Sequence, residues 1–364
     1  MRNTRIAIFV TTLILIGIGV VMIYSASSIP MWQQTGESAG LLKKHIFYLA
    51  LGFMAMAGAM AIDYHKLRKH AKTLLIISII PLVLVLVPGI SREVGGAKRW
   101  LHIFGLNYQP SEFVKIALIL YLADFINRKA RYLKDFWQGF LPPMMLLGFV
   151  TLLVLVQPDL GTAISLVVLV FTMLYVSGAR LVYLLSSVLA ALPFLYILVF
   201  SVPYRRARIL AFLNPWLDPR GTGFQIIQSQ IALGSGGLWG VGLGQGRQKL
   251  FYLPAAHTDF IFSIIGEELG LLGAAFVILL FIFLIWKMSQ IVYSTQDPFG
   301  KLICIGVTTL IAFSAVVNIG VSIGSLPTKG LPLPFISYGG SSLIFHMVAI
   351  GLLLNVSKTE EVAL

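Results

Sequence analysis

Residues 260–286 read FIFSIIGEELGLLGAAFVILLFIFLIW, an almost unbroken apolar run. About 20 such residues cross the hydrocarbon of a bilayer as a helix. Lipid offers the backbone no water, so a spanning segment is either a helix or a strand of a closed barrel. The alternating ten-residue segments of a barrel are absent, which leaves the helix. Two acids, Glu267 and Glu268, sit inside this run, and His257 and Asp259 stand at its edge. Ionisable groups at such depth are costly and mark functional or internally paired positions.

Nine more runs join it, giving spans at 6–27, 45–62, 73–90, 111–127, 140–157, 162–179, 181–201, 260–286, 302–324 and 341–356. The chain is 58% hydrophobic and 11% charged, against about 25% charged in soluble domains. The expected fold is therefore all-α, a polytopic membrane protein of ten transmembrane helices forming one domain over 1–364. The opening MRNTR has no small-residue cleavage site after it, so the first run is read as a retained helix. DYHKLRKHAK (63–72) and NRKARYLKD (127–135) are short and basic. The positive-inside rule puts both in the cytoplasm, and with them both termini. A large outer loop, 202–259, then separates the seventh and eighth helices. No soluble domain and no internal repeat is evident. The single cysteine, Cys304, excludes an intramolecular disulfide.

The net charge of +13 does not indicate nucleic acid, because the basic residues lie in loops between spans. Anionic lipid head groups or a phosphate-bearing substrate fit better. Arg92, Lys98, Arg99, Arg205, Arg206, Arg208, Arg220, Arg247, Lys249 and Lys329 all fall on the outer side. They read either as solvated loop charge or as a basic bowl for an anionic head group.

Several motifs keep them company. In NYQPSEFVK, Ser111 suits an N-cap, and Glu112 and Lys115 share a helical face. That pair either anchors the helix end or sends Lys115 to a phosphate or a catalytic carboxylate. In QPDLGTA, Asp159 is either a turn residue or a second acid in the cavity of Asp259, with Thr162 able to cap the next helix. GSGGLWGVGLGQG (234–246) lacks the GK[ST] of a nucleotide loop; it reads equally as an anion-binding nest or as flexible packing. Asp259 is either a first-turn residue favoured by the helix dipole or a general base beside His257, with Thr258 as cap. Glu267, eight residues further on, falls on nearly the same face, lining the cavity or satisfying polar groups in the bundle. A serine-hydrolase triad and a zinc site both fail on spacing.

Taken together, GGAKRWL, QPSEFVK, QPDLGTA, FLNPWLDPRGTGFQIIQSQIALGSGGLWGVGLGQGRQKL, LPAAHTDFIFSIIGEELGLLG and GLPLPFISYGGSSL, in this order, resemble the SEDS family (shape, elongation, division and sporulation). The resemblance implies a bacterial cytoplasmic-membrane glycosyltransferase that polymerises lipid II into glycan strands at the outer face. It makes Asp259 the catalytic residue and implies a class B penicillin-binding protein as partner, with other divisome or elongasome membrane proteins. Under it, Lys98, Arg99, Gln109, Glu112, Lys115, Asp159, Arg208, His257, Thr258, Lys329 and Ser337 are the candidate substrate-binding residues. A divalent cation, Mg or Mn, is an expected helper with Asp159 as ligand. The family commonly has a glutamate where this chain has Ala255. SLPTKGLPLPFISYGGSS and YSASS look more like the division branch than the elongation branch. The rival readings are a lipid II flippase and a non-catalytic scaffold.

Overall fold

The computed structural model describes residues 1–94, 97–103, 105–250, 252–328 and 330–363. Its helices are α1 (Arg2–Thr35), α2 (Gly40–Ala61), α3 (Tyr64–Leu84), α4 (Pro110–Arg128), α5 (Leu141–Val156), α6 (Leu160–Val176), α7 (Leu181–Phe200), α8 (Pro203–Leu213), α9 (Phe224–Ser235), α10 (Ile261–Ser294), α11 (Pro298–Ser322) and α12 (Gly340–Ala363). Each apolar run falls on one helix, and α8 and α9 divide the long 202–259 loop. Among the described residues seven helices are long and apolar enough to cross a membrane: α1, α2, α5 with the π-turn before it, α7, α10, α11 and α12. α6 is apolar but shorter, while α3 and α4 carry charges in their end turns.

The all-α expectation needs one correction. Residues between α3 and α4 form a three-stranded antiparallel meander, β1 (Ser91–Val94), β2 (Ala97–Ile103) and β3 (Leu106–Tyr108). Its register pairs Leu101 with Tyr108 and Arg92 with Trp100. α3 also stops at Leu84, six residues short of its expected end at 90.

Local chemistry sets the helix starts. Asp63, Asp159 and Asp297 are N-caps whose carboxylates accept from His65 N, Thr162 N and Gly300 N. α4 begins one step earlier than expected: Gln109 is its N-cap and Pro110 occupies the first turn, so Ser111 lies inside the helix.

The loops gather at the two ends of the bundle. At one end, Asn107 N donates to Tyr48 Oη, Ser341 Oγ bridges Asn107 O and Gln109 N, and Arg99 reaches Gln157 O. At the other, Asn355 Nδ2 donates to Met60 O and Ile62 O, Arg68 pairs with Asp124, and Asp297 N donates to Glu360. Among the seven long apolar helices, α12 and α11 are the most enclosed and α7 is nearly bare.

The glycine-rich stretch has a structural role that its composition left open. α10 is broken at Gly270, whose φ of 70° and ψ of −169° suit only glycine. Neighbouring backbone groups there lose helical partners and must find others. Val241 N and Gly242 N donate to Glu267 O and Glu268 O at 3.0 and 3.1 Å, while Leu271 N and Leu272 N donate to Gly237 O and Leu238 O at 2.8 and 3.2 Å. A Cβ on Gly240 or Gly270 would run into the facing backbone.

The two acids of the opening run close this arrangement. Glu267 Oε1 accepts from Arg247 N at 2.7 Å and Gln248 N at 3.1 Å. Glu268 accepts from Gly244 N, from Ser25 Oγ of α1, and from Lys249 Nζ at 2.6 Å. Lys249 and Glu268 are both wholly buried, so Lys249 does not belong to a solvent-facing basic bowl.

Gly270→Ala is expected to cost at least about 1–3 kcal/mol in strain and to lower the melting temperature in detergent. Gly58→Ala, in open space within α2, should be neutral or stabilising by up to about 1 kcal/mol. Lys249→Met alone leaves a buried carboxylate without its counter-charge and is expected to cost about 3–5 kcal/mol. Adding Glu268→Leu should recover much of that loss, as thermal melts of the three proteins would read.

Candidate active site

The segment before α10 winds around one carbonyl. Ala255, in the left-handed region at φ 57°, offers its oxygen to Thr258 N at 3.0 Å, to Asp259 N at 3.1 Å and to Thr258 Oγ1 at 3.2 Å. Thr258 therefore does not cap α10, which starts at Ile261 with no side-chain cap.

The loop between α11 and α12 holds this turn from the other side. Ser337 Oγ donates to Thr258 O at 2.6 Å and accepts from Leu333 N, and Tyr338 N donates to His257 O. Asn318 of α11 donates to both Asp259 O and Leu331 O, at 3.0 and 2.8 Å. Gly330 lies against the carboxylate: a Cβ there would stand 3.2 Å from Asp259 Oδ2. The main chain of Asp259 is thus fixed from three directions.

Its side chain is not. Asp259 is partly exposed, and among the described residues no hydrogen bond or ion pair reaches its oxygens. Desolvation pushes its pKa up to about 6, partly offset by the positive charges of Arg208 and Arg99 and reinforced by Asp159. Those four side chains, drawn from separate segments, therefore share one electrostatic environment. Arg99 on β2 is aimed by Gln157 O and Pro158 O, with Nη1 4.0 Å from Asp159 Oδ1. Arg208 on α8 is held by Thr328 O at 3.1 Å. Asp159 spends its own oxygens on Thr162 N and Thr162 Oγ1 at 3.2 and 2.9 Å, so it is both cap and neighbour. Burial lowers the His257 pKa, and Tyr338 meets the ring edge-on with centroids 6.0 Å apart.

The expected set is only partly assembled. Glu112 and Lys115 pair at 2.7 Å with both side chains buried in α4, so the Lys115 ammonium is already taken. Gln109 joins the seam between α4 and α12 through its backbone. The Lys98 side chain and Lys329 lie outside the described residues. Asn318 and Gly330 escaped notice in the sequence; an asparagine inside an apolar helix was the available signal for the first.

The donors around Asp259 suit a divalent cation poorly. Mg is held by near-octahedral oxygens, whereas here two carboxylates face two guanidinium groups, and among the described residues no cluster of three His, Cys, Asp or Glu forms.

This arrangement has close counterparts. The family model of cell cycle proteins that groups FtsW, RodA and SpoVE matches residues 5–362. A probable peptidoglycan glycosyltransferase FtsW of Geobacter metallireducens is 49% identical over 339 residues, covering 93% of this chain and 90% of that protein. Stage V sporulation protein E of Bacillus subtilis is 42% identical over 349 residues, covering 96% and 95%. Among solved structures, a chain of a peptidoglycan synthase complex that coordinates polymerization and crosslinking superposes with a TM-score of 0.81 at 31% identity, covering 97% of both chains. RodA of Thermus thermophilus gives 0.69 at 27% identity, covering 97% of this chain and 96% of that one. With nearly its whole length matched by the family model and by relatives this similar, the chain belongs to the FtsW, RodA and SpoVE family of cell cycle proteins.

Proposed function

We propose that this chain is a peptidoglycan glycosyltransferase that polymerises lipid II into glycan strands, with Asp259 as its general base. One observation carries the reading: Asp259 is a desolvated carboxylate with a fixed backbone, beside two guanidinium groups, and among the described residues no hydrogen bond or ion pair reaches its oxygens. The glycosyltransferase names of its relatives favour it over a flippase.

In the proposed step an acceptor sugar hydroxyl gives its proton to Asp259 as its oxygen bonds to the anomeric carbon. The bond from that carbon to the lipid pyrophosphate breaks, and the electron pair leaves with the phosphate. Arg99 and Arg208 stabilise the departing charge, as fixed cations do in phosphoryl chemistry. Among the described residues a helper cation would find Asp159 and Asp259 as acidic ligands and would compete with both arginines, so the step is written without one.

The proposed topology has ten spans, both termini in the cytoplasm, and the Asp259 end facing outward from the bacterial cytoplasmic membrane. The basic 63–72 and 127–135 stretches on the opposite end support it. The solved synthase complex supports a crosslinking partner, here a class B penicillin-binding protein. The FtsW relatives favour the division branch.

Lipid II polymerisation by purified protein with its transpeptidase tests the reading. Asp259→Asn is expected to lower the rate by about 10²–10⁴ while remaining folded; equal glycan from both proteins would remove Asp259 from the mechanism. Wild-type activity should rise with pH through about 6, where the base loses its proton. A raised carboxylate pKa means that the folded state loses stability as pH rises toward that value. Asp259→Asn should therefore melt no lower than wild type above pH 6. Arg99→Ala and Arg208→Ala should each reduce kcat by roughly 10²–10³.

A further inference from the structure

Beside the break in α10 lies a polar pocket of about 410 Å³, lined by Ser235, Val241, Gln245, Arg247, Gln248 and Glu267. Its size falls in the usual range of ligand sites, about 300–1,000 Å³, and none of its residues takes part in the step at Asp259.

The lining is chemically particular. Glu267 is 2% exposed and held by two backbone N–H groups, so it forms a fixed wall. Gln248 Oε1 is buried with no donor, a deficit that native structures rarely leave. The side chains of Gln245 and Arg247 are exposed, and among the described residues no carboxylate or carbonyl takes up the Arg247 guanidinium. A fitting ligand brings an anion for the fork of Arg247 and an N–H for Gln248 Oε1. A phosphodiester supplies the anion without the donor. A neutral sugar supplies donors without the anion. A peptide ending in a free carboxylate supplies both.

We infer that this pocket binds the peptide stem of the lipid-linked precursor, its terminal carboxylate on Arg247 and a stem amide N–H on Gln248. The inference rests on the proposed polymerase reading and adds to it a substrate-binding subsite. Gln248 and Asp259 belong to one short segment tied to α10 at both ends, by Glu267 at Gln248 and by the helix start after Phe260. A stem seated here is therefore held by the same segment that carries Asp259.

The test compares lipid-linked disaccharide carrying the full pentapeptide with the same lipid lacking the stem, using wild type, Arg247→Ala and Gln248→Leu, with the transpeptidase present. Arg247→Ala is expected to raise KM for the full substrate about tenfold, the scale of one charge-assisted contact. Its kcat should stay within twofold, and its KM for the stemless lipid should be unchanged. Saturation-transfer NMR with free pentapeptide should show contact to wild type and not to Arg247→Ala. Equal effects on both substrates, or no effect on either, would overturn the subsite while leaving the polymerase reading intact. Peptide contact without any polymerisation by wild type would sink the polymerase reading alone. Preferential binding of inorganic phosphate over the peptide would also overturn the inference.

Discussion

An ion enclosed among apolar helices costs several kcal/mol unless a partner answers it, and that constraint organises this chain. Glu112 is answered by Lys115, Glu268 by Lys249 and Ser25, Glu267 by two backbone N–H groups, and Asp159 by the start of α6. Asp259 departs from the pattern, with positive charge nearby and, among the described residues, no hydrogen bond or ion pair to its oxygens. A carboxylate quenched by a close cation is a poor base, because its lone pairs are committed and its pKa is held down. Asp259 is the acid left incompletely paired among the described residues, which is why the proposed proton transfer is written on it.

The same constraint acts on the backbone. Breaking α10 at Gly270 frees amides and carbonyls that lipid could not satisfy, and the glycine-rich stretch satisfies them by pairing with the break. Small residues are needed because the two backbones come closer than any Cβ permits. A consequence reaches the site. Lys249 is bonded to Glu268 and Phe260 leads directly into α10, so Asp259 sits in a closed segment rather than on a free loop tip. Catalytic geometry tolerates little error, and a segment tied at both ends supplies the needed order.

The helices were legible in the sequence because their signal is local: one apolar run gives one helix. The small β-meander was not, since its strands are short and lack strong alternation. Asp259 could be singled out from its place at the edge of an apolar run, and its four-charge neighbourhood could be suspected from clustered loop cations. Which of those cations meet it could not. Lys249 and Arg247 are two residues apart, yet one is buried on Glu268 and the other is exposed beside a pocket. Only packing separates them. Ser25 and Asn318 were hidden for the converse reason: each is a single polar residue in an apolar helix, and its partner lies far away in sequence.

Ala255 is where the chain departs from the family pattern beside Asp259. The resemblance leads one to expect a glutamate there, one turn before Asp259 and bonded to it through the Ala255 carbonyl. A second carboxylate so close would disfavour ionisation of Asp259 through like-charge repulsion unless a cation joined the pair. Here that role falls to Asp159 alone, and Asp159 is engaged by Thr162 and Arg99. Asp259 is left with burial raising its pKa and two arginines lowering it, a balance that comes out near 6. That value leaves most of the carboxylate ionised at neutral pH while making it more basic than an ordinary aspartate. Alanine at 255 thus leaves burial, the two arginines and Asp159 as the influences that set the charge of Asp259.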